Sequence, residues 1–427
     1  MNKLNTTLTI IASALFFNSS FALAAAEPSE LVTFQAGGTI KASEMNDNFL
    51  YLKNLSLSSS PNNGFSEIAI NCSDDDDALL DYFAEPDSSQ RWITLNLSGT
   101  CAADDNGELQ ITRDSIMLQG GEVAGMIKVV GKQDVVVKGV NILGKANDDR
   151  VAFIDSGSAV YFENNSYPVN SEFLSTGTSS IVYNDSVEGQ RFVASLSSRL
   201  FFFSPIGKAQ DIVLDTASSM EYTNLSSAQM TVLNASGFKN LGQGTLSLDT
   251  LNMGTGTGGQ VYDLSVTNEV DLFANAALAV ENQLSGPLVY VGAGSSLIGA
   301  TVITSKVNIE TGGSVDVDVL GTQGSPITDL ELRGKSALWA ENSYLTNVYA
   351  MDSSIDSANM VITGSLFTRK TSILSQDSFT LSGSADVGSF SYLEMAYPLA
   401  DMCNNFNHIN VEAWSFTDQQ GFPYDCP

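Results

Sequence analysis

One histidine stands in a chain of 427 residues, and only 19 lysines and arginines face 48 aspartates and glutamates. The lone His408 excludes an HExxH zinc site, which needs two histidines. A Ser-His-Asp triad would have to use that same residue, and no GxSxG elbow accompanies it. His408 is therefore read as structural. The shortage of positive charge leaves a net charge of −29 and a pI near 4.1. A field of that sign repels DNA, RNA and anionic membranes, so no nucleic-acid partner is expected. It also disfavours polyanionic glycans unless Ca²⁺ bridges the charges. Neutral glycans, cations and basic proteins remain compatible. Cysteine is scarce as well, with four residues and no CxxC pair. That spacing disfavours a zinc site. No apolar run beyond the N-terminus approaches the roughly 20 residues of a membrane helix.

What the N-terminus does contain is the pattern of a secretory leader. Lys3 supplies the positive charge, and Leu8 to Phe17 form a short apolar core. Ala22-Leu23-Ala24 gives a small-x-small cleavage pattern, with Ala24-Ala25-Ala26 as the alternative. Residues 1–24 are assigned as signal peptide, with cleavage at 26 as the second choice. No Cys follows the leader, so a lipoprotein anchor is not supported. The mature chain is expected outside the cytoplasm, extracellular or periplasmic in a Gram-negative type of export. Export makes disulfides the expected state of Cys72, Cys101, Cys403 and Cys426. Sequence leaves their connectivity open. Local pairs, Cys72 with Cys101 and Cys403 with Cys426, are preferred because each would staple one end of the repeat region.

The repeat dominates the rest. An apolar residue recurs as Val160, Ile181, Leu200, Met220, Leu246, Val261, Leu278, Leu297, Val315, Leu338, Ile355 and Ile373, with Val135 before them. The spacing averages roughly 20 residues, which suits solenoid coils. Two places earlier sit Ser158, Ser179, Ser198, Ser218, Gly244, Gly259, Ala276, Ser295, Gly313, Ser336, Ser353 and Thr371, all small. A tight corner that stacks on the next corner needs small residues. Four places later the residue is polar in every unit but that of Val319, as at Asn164, Asn224, Asn282, Asn342 and Asn359. Such residues can hydrogen-bond along a stack. Between these columns the chain alternates as a strand does, with Phe162, Tyr183, Phe202 and Tyr222 on the inner face. This inner position shrinks to Ala340, Ser357 and Ser375 near the end, so the bore is expected to narrow there. Asp263 and Gly299 break the inner pattern. Parallel stacking of such units makes a β-solenoid, about 4.8 Å per coil.

The segment before the repeats adds a family likeness. Ile70-Asn71-Cys72 precedes an acidic run, then Ala78-Leu79-Leu80-Asp81-Tyr82-Phe83, which can form one amphipathic helix. The strand Trp92 to Ser98 and the turn Gly99-Thr100-Cys101 follow, and a second strand pattern covers Leu109 to Gly120. This order resembles the N-terminal cap of secreted bacterial right-handed parallel β-helix proteins of the pectate-lyase-like superfamily. With the coils, the likeness spans roughly residues 66 to 390. It implies an all-β fold, a right-handed parallel β-helix with an N-terminal helix/strand cap and a C-terminal cap. The scaffold hosts many functions, so it implies no single activity.

The expected organisation is 1–24 leader, 27–65 N-terminal segment and linker, 66–392 β-helix with its N-terminal cap, and 393–427 C-terminal cap. Within the N-terminal segment, Ser43 can cap a helix whose apolar face is Met45, Phe49 and Leu52. That helix docks on the solenoid or serves as an oligomerisation stub, so an oligomer stays open.

The superfamily's enzyme motifs are mostly missing. Of the polygalacturonase-like set only Asp148-Asp149 is present, and the Trp-x-Asp-His of pectate lyases is absent. The run Asp74 to Asp77 can be read as a calcium loop, but carboxylates at the positive end of the following helix are the preferred reading. The outward columns are more informative. If the registration holds, Asp316, Asp318, Trp339, Glu341 and Asp356 gather over three successive coils. Same-strand carboxylates two residues apart lie about 7 Å from each other, and neighbouring coils about 4.8 Å. Those spacings overlap the glycosidase ranges and also suit Ca²⁺. Asp316, Asp318, Glu341 and Asp356 are the candidate catalytic residues, and Trp339 the candidate sugar platform. The competing reading is a solvated acidic surface. No cofactor is required, Ca²⁺ is the one ion these residues would suit, and no metal ligand set is assigned. Outward Val182, Phe201, Phe203, Leu264, Ile298 and Leu374 are expected to be covered by a loop, the tail or another chain. Three functions follow: non-catalytic extracellular recognition of a glycan or protein surface, a polysaccharide lyase or glycoside hydrolase, and a structural, fibre-like surface component.

Overall fold

Alternating apolar and polar residues build strands along each repeat, and the small residues between them build corners. The computed structural model describes residues 65–85, 92–203, 207–292, 294–388, 391–395 and 409–411. Among the described residues, strand accounts for 65% and helix for 2%, which makes the class all-β. The strands pair in parallel and stack into a β-solenoid of about 15 turns. The leader, the segment before Phe65, His408, Cys403, Cys426 and most of 393–427 lie outside the described residues.

One coil shows the plan. The strand Ala337–Met351 runs through three stacks in turn. Its residues 337–340 pair with 314–317 and 354–357, forming the first stack. Residues 342–345 pair with 359–362 in the second stack, and 348–351 pair with 366–369 in the third. The chain then turns a corner and re-enters the first stack one coil further on.

The first stack begins with β1 (Phe65–Asn71), paired with β2 (Trp92–Ser98) so that Phe65 faces Trp92. Helix α1 (Ala78–Ala84) lies between them and buries Leu79 and Phe83 in the core. The Asp74–Asp77 run leads directly into it, with Asp77 at the N-cap. Asn71 holds Asp74 at 2.6 Å, and Asp75 accepts the Asp77 amide at 3.3 Å. Strand β3 (Thr100–Ala102) carries Cys101, which is bonded to Cys72 with a Cα–Cα distance of 4.9 Å. This is the first of the two expected cysteine pairs.

The interior is a single apolar column per strand position. In the first stack the register runs Val135, Val160, Ile181, Leu200, Met220, Phe238, Gly259, Leu278. Two units of the sequence reading are thus displaced. Leu246 pairs with Leu225 and Leu264 in the second stack, and Val261 sits two places beyond the anchor. The physical reason is a size exchange. The anchor position of that coil is Gly259, and a Cβ there would come within 2.5 Å of Phe238 Cζ. The Phe238 ring fills the volume that Gly259 leaves. Apolar periodicity breaks at Gly259, the half of the swap that has no side chain.

With the register corrected, Asp263 leaves the inner column and pairs with Thr245 and Gln283 in the second stack. Leu264 moves the other way, from an expected outward position to a fully buried one. Gly299 does stand inward, between Val280 and Val317. The inner side chains shrink as expected through Ala340, Ser357 and Ser375, all buried. There hydroxyls replace hydrocarbon, with Ser343 and Ser357 bonded at 3.0 Å and Ser375 donating to the Ser378 carbonyl at 2.7 Å. The wide part of the bore is aromatic instead. Phe162, Phe173, Tyr183, Phe192 and Phe202 meet with centroids 4.8 to 6.0 Å apart.

The corner column is also more regular than the sequence reading. Ser236 and Thr257 replace Gly244 and Gly259 in it, both buried. Hydroxyls of the column bond in two ways. Ser158, Ser218 and Thr257 donate to the carbonyl three residues earlier at 2.5, 2.5 and 2.7 Å. Ser179, Ser236 and Ser295 accept the amide of the preceding corner at 3.1 Å. At these positions the column supplies a hydroxyl as well as small size, whereas Ala276 and Gly313 supply size alone.

Candidate functional site

Strand alternation decides which side chains reach solvent. On the first stack Val315, Val317, Leu338, Ala340, Ile355 and Ser357 are buried, which turns Asp316, Asp318, Trp339, Glu341 and Asp356 outward. Asp316 faces Trp339, and Trp339 faces Asp356, on consecutive coils. Asp318 and Glu341 stand two residues further along the same strands. All five predicted residues thus share one face. Trp339 is 39% exposed. Asp356 accepts the Gln376 amide at 3.0 Å. Ile298 precedes this column and Leu374 follows it.

Carboxylates on one face of a sheet point the same way and do not converge. Among the described residues, no group of three or more His, Cys, Asp or Glu side chains is arranged to hold a metal ion. The face offers acceptors on either side of an aromatic ring. That arrangement can bind a sugar, with the ring against its apolar side and the carboxylates on its hydroxyls. Asp148 is engaged elsewhere. It grips Arg150 through both oxygens at 2.5 to 3.0 Å, and this hydrogen bond holds its carboxyl below the usual range.

The polar ladder four places after the anchor exists only in part. Asn359 donates to Asn342 Oδ1 at 3.1 Å, and Ser378 donates to Asn359 Oδ1 at 2.7 Å. Asn282 instead donates to Asp263 at 2.7 Å, and Thr250 lies in the third stack. The outward Val182, Phe201 and Leu374 are half-buried, whereas Phe203 and Ile298 are exposed.

Columns counted from the first stack do not reach the outer side of the third. Two clusters occupy it. Around Tyr349 and Phe367 the rings stack at 4.7 Å, with Arg333 over one and Arg369 over the other. The guanidiniums already cover those ring faces, which makes this a structural ladder. The other cluster is more open. Phe273 is 41% exposed, and its ring lies 5.2 Å from that of Tyr290. Tyr290 lies down across Gly292, where a Cβ would come within 2.7 Å of its ring. Its hydroxyl donates to Glu310 at 3.2 Å. Asn252, Asp271, Tyr290 and Asn308 are neighbours in register on four consecutive coils. Burial, with Glu269 nearby, pushes the Asp271 carboxyl up to about 6. Asn308 Oδ1 is buried without a hydrogen-bond partner. The sequence signal was the alternation Gly254, Phe273, Gly292 at near-coil spacing, visible only once a third column is drawn.

Comparisons with known protein families, curated proteins and solved structures find no match for this chain.

Proposed function

We propose that this protein is an exported, right-handed β-helix of the pectate-lyase-like kind that recognises a glycan without cleaving it. The observation that carries the reading is Trp339, exposed and flanked in register by Asp316 and Asp356. Export is supported by the leader pattern and by the Cys72–Cys101 bond, which persists in oxidising compartments. Right-handedness is supported by the strong preference of parallel crossovers. Recognition is favoured over hydrolysis because a glycosidase places its carboxylates on two sides of the scissile bond. Here Asp316, Asp318, Glu341 and Asp356 stand side by side on one flat face. The charge of −29 favours a neutral or cationic glycan.

A glycan array probed with wild type, Trp339→Ala and Glu341→Gln tests this. Loss of the aromatic platform is expected to weaken binding about ten-fold. Binding that survives Trp339→Ala unchanged removes this face from consideration. Reducing-end release across a polysaccharide panel, with and without Ca²⁺, tests the lyase or hydrolase alternative. Release that Glu341→Gln abolishes would replace the recognition reading with an enzyme. The apolar Val182, Phe201 and Phe203 on the same outer side favour a second role in assembly. Light scattering after size exclusion reads that directly as oligomer or monomer.

A further inference from the structure

The Phe273 cluster lies on a different stack from Trp339 and is built differently. Rings, carboxylates and amides meet there on a glycine floor. Phe273 and Tyr290 present aromatic surface, and Asp271, Glu269 and Glu310 present negative charge beside it. Anions are excluded by those carboxylates. A neutral sugar would leave two or more of them without a countercharge. An organic cation satisfies both features, since a ring face and a carboxylate each attract an ammonium group. A lysine side chain would engage the ring and the carboxylates but has no hydroxyls for the neighbouring amides. Asn252 and Asn308, at the two ends of the register, add amide groups that suit hydroxyls. The Asn308 Oδ1, buried and unpartnered, lacks a donor that a hydroxyl would supply.

We propose that the cluster around Phe273, Tyr290, Asp271 and Glu310 binds a glycan carrying free, protonated amino sugars. The ammonium group sits between the ring face of Phe273 and the carboxylates, and hydroxyls of neighbouring sugars along the glycan reach Asn252 at one end of the register and Asn308 at the other. Consecutive coils, about 4.8 Å apart, set these different groups in a row along the solenoid axis. The site is independent of the Trp339 face, and the two are read by different variants.

Calorimetry on the full chain at pH 7 tests it with three probes: a glucosamine oligomer, the fully N-acetylated oligomer of the same length, and an oligolysine. The glucosamine oligomer is expected to bind. Acetylation removes the charge and is expected to weaken binding about ten-fold or more. Phe273→Ala and Asp271→Asn are each expected to weaken it about ten-fold. Phe273 is exposed, so its loss leaves the thermal midpoint near that of wild type. General attraction of a polycation to an acidic protein would not respond to Phe273→Ala. Absence of binding, equal binding of the two oligomers, or indifference to Phe273→Ala overturns the site. Oligolysine binding as tightly as the glucosamine oligomer overturns the amino-sugar assignment.

Discussion

Asp271 shows how one residue records its surroundings. It sits half-exposed beside Glu269, and burial raises its carboxyl to about 6. The folded state then holds this proton more tightly than the unfolded state does. Its stabilising share is complete below the unfolded value near 4 and is lost as pH rises through about 6. At neutral pH the ionised group therefore costs stability, held by solvent screening to about 1 kcal/mol. Asp271→Asn is expected to raise the unfolding midpoint at pH 7.5 and to give no gain at pH 4. Thermal melts at the two pH values check this, and a gain that persists at pH 4 contradicts it. Single residues were unevenly legible. Trp339 and its carboxylates could be placed because strand alternation around Leu338 is unbroken. Gly259 could not, because a glycine stands where an apolar residue is expected and Phe238 of the preceding coil fills its volume.

Among the elements, corners and the first coil carry specific chemistry. Ser236 accepts the amide of the preceding corner, so Ser236→Ala leaves the Ser218 amide without its acceptor. A buried amide left unpaired costs about 1–3 kcal/mol, which denaturant unfolding reads as a lower midpoint. The Phe238 and Gly259 exchange predicts a compensating pair. Gly259→Ala alone pushes on the Phe238 ring and is expected to cost about 1–3 kcal/mol. Adding Phe238→Leu makes room for the new methyl and should recover part of that loss. Strict additivity of the two changes in a double-mutant cycle would contradict the packing account. In the first coil the Cys72–Cys101 bond closes a separation of 29 residues. Loop-closure entropy puts its contribution at about 3.5 kcal/mol, so the Cys72→Ala, Cys101→Ala double variant should melt clearly lower.

At the scale of the whole molecule, each coil contacts mainly its neighbours, and stability is close to a sum over coils and their interfaces. Ser354 and Ser372 occupy equivalent positions one coil apart. Deleting residues 354–371 should therefore rejoin the stacks in register and leave a shorter, cooperatively unfolding solenoid. Deleting only 363–371 removes third-stack residues and half a coil, and should abolish cooperative unfolding. Circular dichroism melts distinguish the two, and equal damage from both deletions would refute the coil as the unit. Sequence alone determined the all-β class, the coil repeat and the small corner, and it favoured the Cys72–Cys101 pair that the structure then fixed. Each of these is a local pattern or a fixed spacing that recurs whatever the neighbours do. Only the tertiary structure decided the register through residues 238–259 and the face shared by Phe273, Tyr290, Asp271 and Glu310. Those depend on which residue of one coil lies against which residue of the next, and volume exchanged between coils leaves no trace in a one-dimensional pattern.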